Sequence, residues 1–293
     1  MFVLAHLSDP HLGPLPTPPA LELLSKRGLG FLNWLRKRRA IHRPEVLAKI
    51  VADLKAQSPD HIAVTGDLVN LSLSNEFAPA RAWLETLGAS DTVTLVPGNH
   101  DAYVRAAAGC GARYWGEYMR GDAGEDFPFV RRRGPLALIG LSTSLPTLPL
   151  AATGRLHGDQ LARLGGILDA LADEGRFRVV LIHHPPTEGA NYFRRLTDAE
   201  AVRAVLREHG AELVLHGHHH EASLVRLHGP RGAIPCIGVP SASGAPGHKE
   251  DPASYNLYAI EGHSDGWRCT VITRGFARAS DAISELDRQT LMG

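Results

Sequence analysis

Five strand-like apolar runs in this chain end in carboxylate, carboxamide or imidazole side chains, and helical patterns lie between them. FVLAHL (2–7) leads into Ser8-Asp9-Pro10-His11, HIAVTG (61–66) into Asp67, and TVTLVPG (92–98) into Asn99-His100-Asp101. RVVLI (178–182) leads into His183-His184, and ELVL (212–215) into His216-Gly217-His218-His219-His220. Helical spacing fills 44–57, 75–88, 158–175 and 198–210, several of these segments starting after a capping residue and ending at glycine. Strands alternating with helices of this length predict α/β layering. A run such as RVVLI, apolar on both faces, predicts strands covered on both sides. The last third differs. SLVRLH, GAIPCIGVP, SYNLYAIEG and GWRCTVITR follow with few helices between them, which predicts a second, more antiparallel sheet completing a sandwich. A C-terminal amphipathic helix is expected at about 281–290 and a turn-rich hairpin region at 121–135.

Composition removes several classes of function. The 293 residues are 44% hydrophobic and 21% charged, as in a soluble globular protein. Lys+Arg and Asp+Glu balance at 31 each, so no global charge recruits nucleic acid, and no specific nucleic-acid partner is expected. No apolar run reaches the ~20 residues of a membrane-spanning helix. MFVLAHLSD lacks the basic start and cleavage site of a signal peptide. Cys110, Cys236 and Cys269 form no C-x-x-C pair, which argues against a disulfide framework and fits a reducing cytoplasm.

In open α/β sheets, sites form beyond the carboxyl ends of the strands. A single Asp or His there most often caps the next turn. Five neighbouring strand ends carrying Asp9, His11, Asp67, Asn99, one of His183 or His184, His218 and His220 are not explained by capping. In an extended chain His218 and His220 share a face, and His219 points away. Seven oxygen and nitrogen donors exceed the needs of one tetrahedral zinc. They suit two divalent metals about 3.5 Å apart sharing a carboxylate, with room for water. Two such ions against two carboxylates leave the site positive and matched to a phosphate ester.

The ordered motifs Asp9-Pro10-His11, Gly66-Asp67, Gly98-Asn99-His100-Asp101, His183-His184 and Gly217-His218-His219-His220 resemble those of the calcineurin-like metallophosphoesterase superfamily. The resemblance implies a single domain over 1–293 with a four-layer α/β/β/α double β-sandwich. It implies Asp9, His11 and His220 on one metal, Asn99, His183 and His218 on the other, and Asp67 between them. It also implies a metal-bridging hydroxide as nucleophile. His100 is implied at the leaving-group oxygen, as proton donor or transition-state stabiliser, with Asp101 orienting its ring. The family often has H-x-P at the fourth motif, which selects His183 as ligand and leaves His184 as a phosphate contact. Oxygen and imidazole donors without thiolates suit Mn, Fe or Zn.

GDLVNLS lacks the Asp-Arg pair that protein phosphatases carry after the second motif, and Asn70 stands where purple acid phosphatases have a tyrosine ligand. The pattern looks most like the bacterial phosphodiesterase branch, which includes class III cyclic-nucleotide phosphodiesterases and glycerophosphodiesterases. A cytoplasmic enzyme for small phosphodiesters is expected. The alternatives with the same site are a phosphomonoesterase or a lipid-linked phosphohydrolase similar to UDP-diacylglucosamine diphosphatase. The segment 21–44, LELLSKRGLGFLNWLRKRRAIHRP, has two readings. It is a cap whose Phe31, Trp34 and Leu35 share a helical face packed on the body, with the basic face solvated. Or it meets a membrane or lipid phosphate, as basic amphipathic segments do. Arg194 and Arg195, just after the HHPP loop, are further candidates for a substrate contact.

Overall fold

A computed structural model describes all residues except 190, 264, 265 and 279. Strand β1 (Phe2–Leu7) is followed by the helical insertion, in which helix α1 (Lys26–Asn33), a π-helical turn (Trp34–Arg38) and the short α2 (Arg39–Ile41) run on without a break. Then come α3 (Pro44–Ala56), β2 (His61–Val64), α4 (Phe77–Leu87), β3 (Val93–Leu95) and α5 (Cys110–Trp115). Next are β4 (Phe129–Arg133), β5 (Leu136–Gly140), α6 (Gly158–Asp173), β6 (Phe177–Leu181), α7 (Ala199–His209) and β7 (Leu213–His216). Strands β8 (Ser223–Gly229), β9 (Gly232–Gly238), β10 (Ser254–His263), β11 (Gly266–Phe276) and β12 (Ile283–Met292) complete the chain.

Two six-stranded mixed sheets result, in the orders β12-β11-β10-β1-β2-β3 and β4-β5-β6-β7-β9-β8. β1, β2 and β3 are parallel, as are β5, β6, β7 and β9, so these chain segments deliver their C-terminal ends to one edge of the sandwich. The layers follow from side-chain alternation. Along β5, Leu136 and Leu138 join the core shared with Leu4, Val64, Leu95 and the α3 residues Ile50 and Leu54. Ala137 and Ile139 on the other face pack with Leu164 and Leu168 of α6 and Leu206 of α7. The architecture is the expected α/β/β/α sandwich.

Two expectations are corrected. The last-third strands do not form a sheet of their own: β8 and β9 extend the second sheet, and β10–β12 extend the first. The helix expected at 281–290 is strand β12, paired antiparallel with β11. Nearly all of β12 is exposed until Leu291, so no buried face stamps a period on it. The free edge of β11 offers a ladder of backbone partners that local helical spacing cannot match. Its Glu, Asp and Arg residues also suit a strand with one open edge. No helix among the described residues is long and apolar enough to cross a membrane.

His61, at the start of β2, is buried, with Nε2 2.7 Å from Thr94 Oγ1. Burial, with Arg133 and Arg131 nearby, pushes it down to about 3. The unfolded chain takes up a proton near pH 6.5 where the folded protein does not, so stability falls as pH drops below that value, by about 1.4 kcal/mol per pH unit. His61→Gln removes this term. The wild type's stability advantage over the variant, measured by urea denaturation, is expected to shrink by about 2 kcal/mol between about pH 7 and about pH 5.

Candidate metal centre

Seven side chains from the ends of β1, β2, β3, β6 and β7 converge, and all but Asn99 are anchored on one side, with the other side turned to the cluster. The carboxylate of Asp67 accepts the His100 backbone N–H on Oδ1 at 2.7 Å, leaving Oδ2 3.4 Å from His183 Nε2 and 3.8 Å from His11 Nε2. Asp9 accepts the His218 N–H on Oδ2 at 3.0 Å, leaving Oδ1 3.2 Å from His220 Nε2 and 3.8 Å from His11 Nε2. The imidazoles repeat the pattern. His183 Nδ1 lies 2.6 Å from the Thr65 carbonyl, His11 Nδ1 3.2 Å from the Val69 carbonyl, and His218 Nε2 2.8 Å from the Arg194 carbonyl. His220 Nδ1 lies 3.3 Å from Glu250 Oε2. A ring N–H donated to an oxygen fixes the tautomer and leaves the other nitrogen's lone pair for a cation.

The open atoms fall into two clusters. His11 Nε2, His220 Nε2 and Asp9 Oδ1 form one, with the two ring nitrogens 3.2 Å apart. His183 Nε2 and Asn99 Oδ1, 3.2 Å apart, form the other, with His218 alongside. Asp67 Oδ2 stands between them. The donors are all nitrogen and oxygen, and the groups of three close enough to share an ion include His11, His42 and His220, then His183, His184 and His218, and, across the two clusters, Asp9, Asp67 and His183. The set fits two hard or borderline divalent cations. Electrostatics agrees. Burial alone would lower His183, yet Asp67 and Asp9 hold it up at about 9. His220 is likewise raised, against burial, by Asp9 and Glu250. The two buried carboxylates demand positive charge.

The backbone pays conformational strain for this. Asp9, His11, Asp67, His218 and His220 all have left-handed φ, at 52°, 38°, 57°, 73° and 57°. Non-glycine residues rarely adopt such angles, and they cluster at functional sites. His218 and His220 therefore part to different clusters through a left-handed turn beyond β7 rather than through strand alternation. Gly217 is required there, because a Cβ would collide with Ser8 Oγ and Asp9 Oδ2.

Three expected roles change. Asp101 does not touch the His100 ring. Its carboxylate accepts the backbone N–H groups of Asp67, Leu68 and Gly98 at 2.9 Å and of Val69 at 3.2 Å. The His100 ring is oriented instead by the Asn70 carbonyl at Nδ1 and by stacking on Tyr103, centroids 5.3 Å apart. Burial and the Arg38 guanidinium push His100 down to about 3, so the ring is neutral at neutral pH. His184 is not left free for a phosphate, since Nδ1 lies 2.7 Å from Thr143 Oγ1 and Nε2 3.2 Å from the Ala152 carbonyl. Arg194 lines the 260 Å³ cavity over the centre and donates to the His218 carbonyl at 2.9 Å. Arg195 instead covers the Tyr192 ring.

The insertion is half cap, half site. Phe31 and Trp34 stack and pack on Leu15, Leu71 and Leu73. Leu35 leaves that face and is 46% exposed, because the π-helical turn beginning at Trp34 widens the helix. Gly30 lets α1 approach, since a Cβ would lie 2.6 Å from Leu71 Cδ2. Arg38, read from the sequence as part of a solvated basic face, turns inward, with Nη2 2.8 Å from His11 Nε2 and Nη1 3.1 Å from His100 Nε2. His42 and Glu250 also border the first cluster and carried no strand-end signal. A cavity of about 860 Å³ between α6, α7 and β9 contains none of these residues.

Paired oxygen and imidazole clusters at one edge of a two-sheet sandwich define a dinuclear phosphoesterase type of site. The sequence model of the calcineurin-like phosphoesterases matches residues 2–222, and the chain belongs to that family. It is therefore a hydrolase of phosphoric esters, and membership implies two divalent metal ions. A probable cyclic nucleotide phosphodiesterase from Synechococcus is 28% identical over 230 residues, covering 76% of this chain and 80% of that protein. Among solved structures, a dimetal phosphatase from Danio rerio superposes with a TM-score of 0.65 at 14% identity, covering 99% of this chain and 98% of its own. A purple acid phosphatase from yellow lupin gives 0.62 at 12%, with 99% and 53% covered. These two establish likeness of fold.

Replacing Asp101 by Ala strands four backbone N–H groups and is expected to cost on the order of 3 kcal/mol or more. His100→Gln is expected to stay within about 1 kcal/mol of wild type. Equilibrium urea unfolding of both separates a loop anchor from a ring orienter.

Proposed function

We propose that the chain is a metal-dependent phosphodiesterase acting on small diesters of the cyclic nucleotide or glycerophosphodiester type, with 1–293 as one domain and 21–44 as its cap. The observation that carries the reading is the tethering of four imidazoles, each by one ring nitrogen, so that the other faces one of two clusters sharing Asp67. Asp9, His11 and His220 would hold one ion, Asn99, His183 and His218 the other, with Asp67 common to both. Ions bound there supply Lewis-acid polarisation of phosphoryl oxygens and an acidified water.

The protein's own groups do the rest. The tethers hold the ligands in place before substrate arrives, so no reorganisation is needed during reaction. Arg38 and Arg194 bring cationic donors to the mouth of the site, where an anionic ester must enter. His100 donates Nδ1–H to the Asn70 carbonyl and accepts from Arg38 on Nε2, so Nε2 would have to take up a proton before it could donate to the departing oxygen. The 28%-identical relative, a probable cyclic nucleotide phosphodiesterase, supports the diester reading.

Metal-stripped protein refilled with Mn is expected to cleave bis-p-nitrophenyl phosphate faster than p-nitrophenyl phosphate. Asn99→Ala should lose bound metal by elemental analysis together with the activity. His100→Gln should retain the metal while kcat drops about 10²- to 10⁴-fold. Monoester preference would replace the diesterase reading with a phosphatase.

A second reading has its own observation. Leu21, Leu24, Leu29, Leu32 and Leu35 of the insertion are exposed at 42–84%, beside Arg36, Lys37 and Arg39. A surface of this kind suits an anionic lipid interface and a lipid-linked phosphate. Co-sedimentation with phosphatidylglycerol vesicles, lost when Leu32 and Leu35 become Ser, is the expected result; equal sedimentation with neutral phosphatidylcholine vesicles speaks against it.

A further inference from the structure

Beside the centre lies a second cavity of about 550 Å³, between the insertion and residues 149–152. Asn99, His100, Lys37 and Arg38 line both it and the 260 Å³ cavity over the clusters, so the two adjoin on the His100 side. Its charge is one-sided. Lys26, Arg36, Lys37 and Arg38 line it, and no carboxylate does. Among the described residues none of the four is in an ion pair, whereas the neighbouring Arg27 is paired with Glu22 at 2.7 Å.

The cations are also positioned. Lys26 Nζ is held 3.1 Å from both the carbonyl and the Oγ1 of Thr147, and sits 4.0 Å over the Tyr103 ring. That ring stacks on His100. Burial lowers Lys26 to about 8, which an anion beside it would reverse. An ordinary solvated basic face keeps its ammonium groups in bulk water. Here Lys26 and Arg38 are fixed in the wall, and the exposed Arg36 and Lys37 stand at the rim, of a concavity that opens onto the leaving-group histidine, with Leu29, Leu32 and Leu150 at its sides.

We propose that this cavity is an anion subsite that receives a second negatively charged group, of the phosphate class, carried on the leaving-group side of the substrate. The proposal rests on the phosphoesterase reading of the centre, and it narrows the substrate to a diester with a further anionic group beyond the scissile bond, which leaves out a simple cyclic mononucleotide. Charge-assisted donors in a half-buried concavity are strong, and lysine serves there as a point charge for phosphate.

The test uses the Mn-loaded full chain and isothermal titration with two probe sets: propyl phosphate, and ethane-, butane- and hexane-diyl bisphosphates. At least one bisphosphate is expected to bind wild type about tenfold or more tighter than propyl phosphate. In the Lys26→Met/Lys37→Met variant, which keeps the aliphatic stems, the ratio should collapse to about twofold or less. Raising salt should shrink the wild-type ratio. A ratio unchanged in the variant overturns the subsite, as does a wild type that binds no bisphosphate better than the monophosphate; in both cases turnover of bis-p-nitrophenyl phosphate keeps the phosphoesterase reading. Absence of both phosphate binding and turnover overturns the two together.

Discussion

Everything at the centre depends on how the loop after β2 is held. Residues 66–73 carry no regular structure of their own, yet they must present Asp67 between two clusters and keep the Asn70 carbonyl against His100. Two buried carboxylates do this. Asp101 takes the N–H groups of residues 67–69 and of Gly98, tying the loop to the one after β3. Glu76 takes those of Asn70, Leu71 and Leu73 at 2.7–3.0 Å. A buried N–H without an acceptor is costly, so the loop has one satisfied conformation. The left-handed φ of Asp67 is tolerated because this network over-determines it.

The insertion after β1 adds what the sandwich lacks. The strand ends supply acceptors and imidazoles whose charge is matched by the carboxylates beside them. None of those residues can grip an anionic ester by direct charge. The continuous helical run from Lys26 to Ile41 carries the basic residues over the opening and fastens them through Phe31 and Trp34. The π-helical turn ending at Arg38 sets the direction of that side chain. Elements of this kind often accompany function because they cost hydrogen-bond geometry that selection must repay.

The layers and the candidate ligand set were legible because both leave periodic or positional marks. A strand buried on two sides reads as an apolar run, and a site at parallel strand ends puts its donors directly after such runs. Asp9 and Asn99 were singled out this way, whereas His183 was preferred over His184 only through the family resemblance. What escaped has physical reasons. β12 is exposed almost throughout, so no burial pattern distinguished strand from helix. The partner of Asp101 is backbone, and backbone N–H groups leave no trace in the residue string. Arg38 is one of seven basic residues in 21–44, and only the local widening of the helix singles it out. Glu250 and His42 lie in loops far from the motifs, and three-dimensional closure alone brings them to His220.

The sandwich has two sheets with separate strand orders, and neither cluster belongs to one of them. Asp9, His11, Asp67 and Asn99 come from the ends of β1, β2 and β3, whereas His183, His218 and His220 come from the ends of β6 and β7. A cation seated in either cluster is thus a cross-link between the sheets, made at the edge where the apolar core stops. Binding at a hundredfold excess over Kd adds about 2.7 kcal/mol to folding. The increment falls on the contact between the sheets rather than on either alone. Metal supply then sets how firmly the two halves of the molecule are joined, as well as whether it can turn over substrate.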